Sequence, residues 1–170
     1  MQQKNPNVTN LVNKLFIPKQ RDVLTKQTKY WKTILGHQKI QCIYSKVELD
    51  SNNISLDHYL PWSFVAHDQL WNLIPTIPSV NSSKSNHLPA LKYFKSFVEL
   101  QHLGLTVYRQ NVLEQQWLKD VESFIADLKV EPENLLNLQV ITTAYEQTLN
   151  PLITLATTQG FSADWVYENL

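Results

Sequence analysis

Cysteine is all but missing from this chain: Cys42 is the only one. That excludes an intrachain disulfide and any zinc site built mainly from cysteines. No apolar run reaches transmembrane length. The opening residues, MQQKNPNVTN, are polar and lack the apolar stretch of a signal peptide, so a cytoplasmic location is expected. Internal repeats and low-complexity tracts are absent too. Hydrophobic residues make up 43% of the 170 positions and charged residues 18%. A chain of that kind can bury one real core, or a small domain with a helical extension.

Net charge is also missing, but only on average. Residues 1–46 hold nine Lys and Arg against one acid, Asp22, whereas residues 114–170 hold two Lys against nine acids. The basic end is a candidate phosphate-contacting surface. The competing reading is that the two ends pack together and neutralise each other.

The hydrophobic pattern divides the chain into three parts. Residues 7–16 carry Leu11, Val12, Leu15 and Phe16 at helical spacing, and Pro18 closes or opens an element. From 19 to about 35, Val23, Leu24, Tyr30, Trp31, Ile34 and Leu35 form one stripe, with Gly36 as the expected stop. KIQCIYSKVEL is rich in β-branched and aromatic residues and is followed by a turn at SNN. ISLDH and WNLIPT read as short strands among proline-rich loops, and Asn81 is expected to open a helix. Beyond Pro89 the pattern is helical, over LKYFKSFVELQHL, VLEQQWLKDVESFIADL and ENLLNLQVITTAYEQTL, with Pro132 and Pro151 as punctuation. The expected fold class is α+β, mostly α. The expected parts are a basic helical segment (1–38), a compact ββα core (39–92) and an acidic helical extension (93–170), together forming one unit.

The chemistry concentrates in residues 56–89. Asp57–His58 closes a short strand, with Pro61 and Ser63 behind it; Asn72 sits in WNL; Asn81, Lys84 and Pro89 follow. Each has an ordinary alternative as a turn, cap or solvated residue. In this order they read D-H-x-x-P-x-S-F, W-N-L and N-x-x-K-S-x-x-x-P. That set resembles the HNH endonucleases, whose shared core is a ββα-metal finger. It is especially similar to the zinc-less HNH domain of the RNA-guided CRISPR effector nucleases. The resemblance covers roughly 40–92, less than a third of the chain.

The resemblance implies hydrolysis of DNA phosphodiester bonds to a 5′-phosphate and a 3′-hydroxyl. It makes His58 the general base and Asp57 with the side-chain oxygen of Asn81 the ligands of one Mg2+ or Mn2+. It gives Asn72 the task of holding the loop that orients His58, and places Lys84 to meet a phosphate. Lys26, Lys29, Lys32, Lys39 and Lys46 are candidate backbone contacts, as are Lys14, Lys19 and Arg21. His87 is a candidate nucleic-acid contact, although a surface role suits it better, and His67 reads as structural.

The sequence departs from many family members at Cys42-Ile43-Tyr44-Ser45, where a CxxC pair would stand. No structural zinc is therefore expected. Packing by Trp31, Tyr44, Trp62, Phe64 and Trp71 should hold the finger instead, with Cys42 as a small buried hydrophobe. Family association suggests bacterial antiviral defence, with a regulatory domain or partner protein to restrain the activity. No membrane partner is expected, and the oligomeric state is left open by the sequence. The alternative is a catalytically silent HNH-derived module that binds nucleic acid or protein.

Overall fold

The computed structural model describes residues 23–169. The expected element over 7–16 and the basic residues Lys14, Lys19 and Arg21 lie outside the described residues. The fold is α+β and mostly α, with seven α-helices and a single two-stranded antiparallel sheet among the described residues.

Helix α1 (Thr25–His37) buries Tyr30, Trp31 and Ile34. Gly36 does not stop it. The helix runs on to His37, and Gln38 ends it by turning extended while its N–H still reaches the Ile34 carbonyl. The next stretch, 39–49, is not a regular strand. A single antiparallel bridge joins Gln41 to Glu48, and the chain reverses between Cys42 and Val47. Lys46 takes a left-handed backbone (φ 63°) in that reversal, which leaves too few residues in register for a ladder. Ile40, Cys42, Ile43, Tyr44 and Leu49 are buried all the same.

Strand β1 (Ser55–His58) pairs antiparallel with β2 (Leu73–Thr76), placing Asp57 opposite Ile74 and His58 opposite Leu73. Pro75 is tolerated in β2 because each strand of a two-stranded sheet has a free edge. Between the strands lie the one-turn helix α2 (Trp62–Val65) and a 3-10 turn, Leu70–Asn72. Asn72 thus ends that turn rather than sitting inside a strand. Helix α3 (Pro78–Lys84) begins at Pro78, whose fixed φ suits a first helical position. Asn81 accordingly lies inside the helix and not at its start.

A two-stranded sheet is marginal by itself. Here the helical extension covers it. Helix α4 (Phe94–Asn111) buries Phe97, Val98, Leu100 and Leu105. What reads as one long helix after Val112 is split at Val121 into α5 (Glu114–Asp120) and α6 (Glu122–Leu128). Helix α7 (Leu138–Thr158) starts at Asn137, whose side chain accepts from the Gln139 and Val140 amides. It does not stop at Pro151. That proline and Gln147, one turn earlier, are both exposed, so the carbonyl freed by the missing N–H can meet water.

Three helices grip the short segment that carries Asn72. From α1, the Trp31 indole donates to the Leu73 carbonyl (3.1 Å). From α4, the buried Gln101 amide nitrogen lies 3.0–3.2 Å from the carbonyls of Leu70, Trp71 and Leu73. From α7, the Tyr145 hydroxyl donates to the Trp71 carbonyl (2.8 Å). The end of the chain returns as a strap over the exit of α3. Leu88 N–H donates to Ser162, Trp165 N–H to Leu88, and Ala90 N–H to Trp165.

Of the expected packing residues, Trp31, Tyr44 and Trp71 are in the core, whereas Trp62 and Phe64 are only half-buried. Phe64 meets Phe161 edge-on instead, with ring centres 5.5 Å apart. Cys42 is fully buried, with its sulfur 3.2 Å from the Thr76 hydroxyl.

Helix α4 packs against α1 at Gly104, where an added Cβ would stand 2.9 Å from the buried Trp31 ring. Trp31 cannot retreat without breaking its bond to Leu73. Gly104→Ala should therefore destabilise the fold by about 1–2 kcal/mol, the overpacking cost outweighing the better helix propensity of alanine. A urea titration checks this; an unchanged or raised midpoint would contradict the packing described.

Candidate active site

Ser55, Leu56, Asp57 and His58 from β1, Pro61 and Trp62 at the start of α2, Asp68 from the following loop, and Asn81, Ser82 and Ser85 around α3 line a pocket of about 600 Å³. Leu24, just before α1, Thr28 in its first turn, Ile54 and Asn86 complete the wall. Neighbours on a strand point to opposite faces. Asp57 and His58 nevertheless border one pocket, because β1 ends at His58 and the chain turns away through Pro61.

Asp57 is held from two sides and is 2% exposed. The Lys84 ammonium lies 3.0 Å from Oδ1, and the Tyr44 hydroxyl donates to Oδ2 at 2.8 Å. Lys84 also donates to the His58 backbone carbonyl at 2.7 Å and has no exposed surface. This corrects the expected placement of Lys84. Its ammonium faces inward, to Asp57 and the strand end, rather than outward to a phosphate. Ser85, the next residue, takes φ 47° and ψ −127°. That sharp exit turns the chain away from α3 and leaves the lysine inside, at the cost of a strained backbone beside the pocket.

Tyr44 has no counterpart in the expected site, yet it forms the back wall. Burial, and then the charge of Asp57, push its hydroxyl well above the ordinary tyrosine range, so it stays a neutral donor. Tyr93 and Trp165 meet its ring edge-on, at 4.9 and 5.1 Å between centres. Tyr59 is raised likewise by burial and by Asp57. It stacks on Phe97 of α4 at 4.0 Å.

Asn72 is fully buried and pairs with the backbone of Leu60 on both sides. Its Oδ1 accepts from Leu60 N–H (2.8 Å), and its Nδ2 donates to the Leu60 carbonyl (2.9 Å). The Asn72 carbonyl takes the Tyr59 N–H as well, at 2.8 Å. The loop leaving His58 is thus fixed to the segment gripped by α1, α4 and α7. At the rim, the Ser63 hydroxyl donates to the Asn86 side-chain oxygen Oδ1 at 3.2 Å, joining α2 to the loop beyond α3.

His58 is 8% exposed, and its Nε2 lies 2.8 Å from Asp68 Oδ1. No motif spacing points to Asp68, although it is the only acid between β1 and β2. His67, just before it, leans on the Trp71 ring at 5.2 Å. Burial holds its imidazole below the usual histidine range, although Asp127 pulls the other way. It remains a neutral packing group that also accepts the Gln69 N–H at 3.3 Å.

Hard divalent cations need oxygen donors. A carboxylate offers roughly four lone-pair sites, and one hydrogen bond on each Asp57 oxygen leaves about half of them. Asn81 directs its amide nitrogen to the Ser55 hydroxyl (2.6 Å) and the Leu56 carbonyl (3.3 Å), so its oxygen is the donor atom not engaged there. Among the described residues, no group of three or more His, Cys, Asp and Glu is arranged to hold a metal. Asp57 with Asn81 therefore fits an ion that keeps most of its waters, as magnesium does, and not a fully protein-ligated one. The Lys84 cation beside Asp57 weakens any such binding.

The candidate backbone-contacting lysines among the described residues fall into two groups. Lys26, Lys29 and Lys32 are exposed on α1, the helix whose first turn lines the pocket. Lys39 and Lys46 border another concavity, shared with Cys42, Glu48 and Glu99. Lys39 lies 3.2 Å from Glu48 there. His87 is not part of the His58 pocket; its Nδ1 donates to the Lys84 carbonyl at 2.8 Å.

Residues 42–90 match the family model described as HNH endonuclease. No curated protein and no solved structure matches the chain. The matched span takes in Tyr44, Asp57, His58, Asp68, Asn72, Asn81 and Lys84, and leaves out Gln101, Tyr145 and Trp165.

Asp57 and Lys84 form an ion pair almost without solvent. Removing one partner of such a pair strands the other charge. Lys84→Met should cost about 3–5 kcal/mol, read as a fall in the urea midpoint. A loss under about 1 kcal/mol would mean that water already reaches Asp57.

Proposed function

We propose that the chain is a metal-dependent nuclease of the HNH type that cuts DNA. The family match supports nuclease-type chemistry in general. One observation carries the finer reading: Asp57, His58 and Asn81, from two elements, border a single pocket inside the matched span.

In this reading the phosphodiester enters the pocket between β1 and α3. His58, in its neutral form, accepts a proton from the attacking water as its oxygen bonds to phosphorus. The bond from phosphorus to the 3′ oxygen breaks, leaving a 5′-phosphate and a 3′-hydroxyl. Asp57 and the Asn81 oxygen would hold a magnesium or manganese ion. When bound, it would neutralise charge on the phosphate and the departing oxygen. Lys84 and Tyr44 keep the Asp57 carboxylate from rotating. Asn72 does the same for the loop behind His58. Both are supporting roles, since neither Lys84 nor Asn72 has exposed surface. Lys26, Lys29 and Lys32 on α1 would hold the DNA backbone without reading its sequence.

Incubation with supercoiled plasmid tests this. Nicking should require magnesium or manganese and stop with a chelator, and His58→Ala should lower the rate by a factor of about 10²–10⁴. Wild-type protein that leaves the plasmid intact under every metal condition would instead favour a silent binding module. DNA binding supplies a separate check. Replacing Lys26, Lys29 and Lys32 together with Gln should weaken binding evenly across sequences and flatten its log–log salt dependence by up to about three. An unchanged salt slope would move the DNA to another face.

A further inference from the structure

We infer that Asp68 is the positioning residue of His58, so that the two act as a carboxylate–imidazole dyad. The inference rests on the nuclease reading for its catalytic meaning, and on geometry alone for the dyad itself. His58 Nε2 and Asp68 Oδ1 are 2.8 Å apart, and the two side chains are 8% and 20% exposed. Both line the pocket that holds Asp57 and Asn81.

An ionised carboxylate only accepts hydrogen bonds. Facing Asp68, Nε2 therefore carries the hydrogen, and in the neutral ring the lone pair belongs to Nδ1. A general base works only if its basic nitrogen is the one turned to the water. Asp68 settles both the tautomer and the rotation of the ring about its bond to the backbone.

Asp68 is itself held in place, which a chance surface contact would not be. The chain reaches it through Ala66, whose backbone is left-handed (φ 55°) and whose N–H closes α2 on the Trp62 carbonyl. A left-handed alanine costs roughly 1–2 kcal/mol, and it persists only where its surroundings impose it. The Gln27 side chain of α1 donates to the Asp68 carbonyl at 2.9 Å. Beyond it, Asn72 N–H closes the next turn on the Gln69 carbonyl at 3.0 Å. The same loop thus links the helix bearing the exposed lysines, the dyad, and the Asn72 anchor.

Two readouts on the intact chain test the dyad. Nitrogen-15 NMR of the imidazoles, at a pH where His58 is neutral, reports its tautomer. Wild type should give the Nε2–H form with a slowly exchanging Nε2 proton. Asp68→Ala should lose that proton signal and mix the tautomers, while Asp68→Asn, which keeps an accepting oxygen, should retain the Nε2–H form. In plasmid cleavage, Asp68→Ala should lower kcat about 10–100-fold with KM little changed, and Asp68→Asn should recover part of the loss. Manganese affinity should be the same in wild type and Asp68→Ala. An Nδ1–H tautomer in wild type overturns the dyad, and so does an unchanged kcat in Asp68→Ala. A tenfold loss of manganese affinity would make Asp68 a metal ligand instead and also overturn it. Wild type that does not cut while holding the Nε2–H tautomer through Asp68 would sink the nuclease reading and leave the positioning intact.

Discussion

The architecture around the pocket follows from one arrangement, the buried contact of Lys84 with Asp57. Taking two opposite charges out of water is costly, and additional hydrogen bonds to both groups help their attraction to offset it. The chain supplies such bonds from separate places. Tyr44 donates from the loop before β1, and the His58 carbonyl accepts from the end of β1. Ser85 bends the backbone so that α3 can present its last residue inward. Lys84 thereby joins the helix to the strand end, and a carboxylate held this rigidly is ready for a ligand without further ordering.

The helical extension is the scaffold that makes so small a sheet usable. Trp31, Gln101 and Tyr145 occupy the carbonyls around Asn72, and Asn72 in turn fixes the chain leaving His58. Aromatic contacts do the rest. Tyr59 lies on Phe97, and Tyr44 stands between Tyr93 and Trp165. Side chains from α4, α7 and the strap pack behind the sheet, and burial of large aromatic rings ties the small core to the helices.

Much of this was legible in the residues, for identifiable reasons. Short apolar runs between proline-rich loops located β1 and β2, and the helical stripe located α1. Local rules failed where tertiary surroundings outweighed them. Gly36 and Pro151 are helix breakers by propensity and sit on exposed faces, yet packing of the buried faces of α1 and α7 carries both helices past them. KIQCIYSKVEL has strand composition but reverses too soon to pair along its length. In the pocket, the Asp57–His58 pair and Asn81 were readable from their types and order. Lys84 was readable as important but not as buried, because spacing does not say which way a side chain faces. Tyr44 was legible as a packing residue but not as the donor to Asp57, and no motif pointed to Asp68 or Gln101. Their meaning depends on partners far along the chain, and nothing in their own neighbourhood marks them.

The return of the chain end over α3 also has a consequence for the order of events as the protein is made. Trp165 bonds to the backbone at Leu88 and Ala90 and closes the ring cluster behind Tyr44. Synthesis proceeds from the N-terminus, so the residues of the pocket all emerge long before this wall exists. A nascent chain can hold Asp57, His58 and Asn81 in sequence and still lack the surface against which Tyr44 is seated. The part of the site to be enclosed last is therefore built from residues translated well after those it covers.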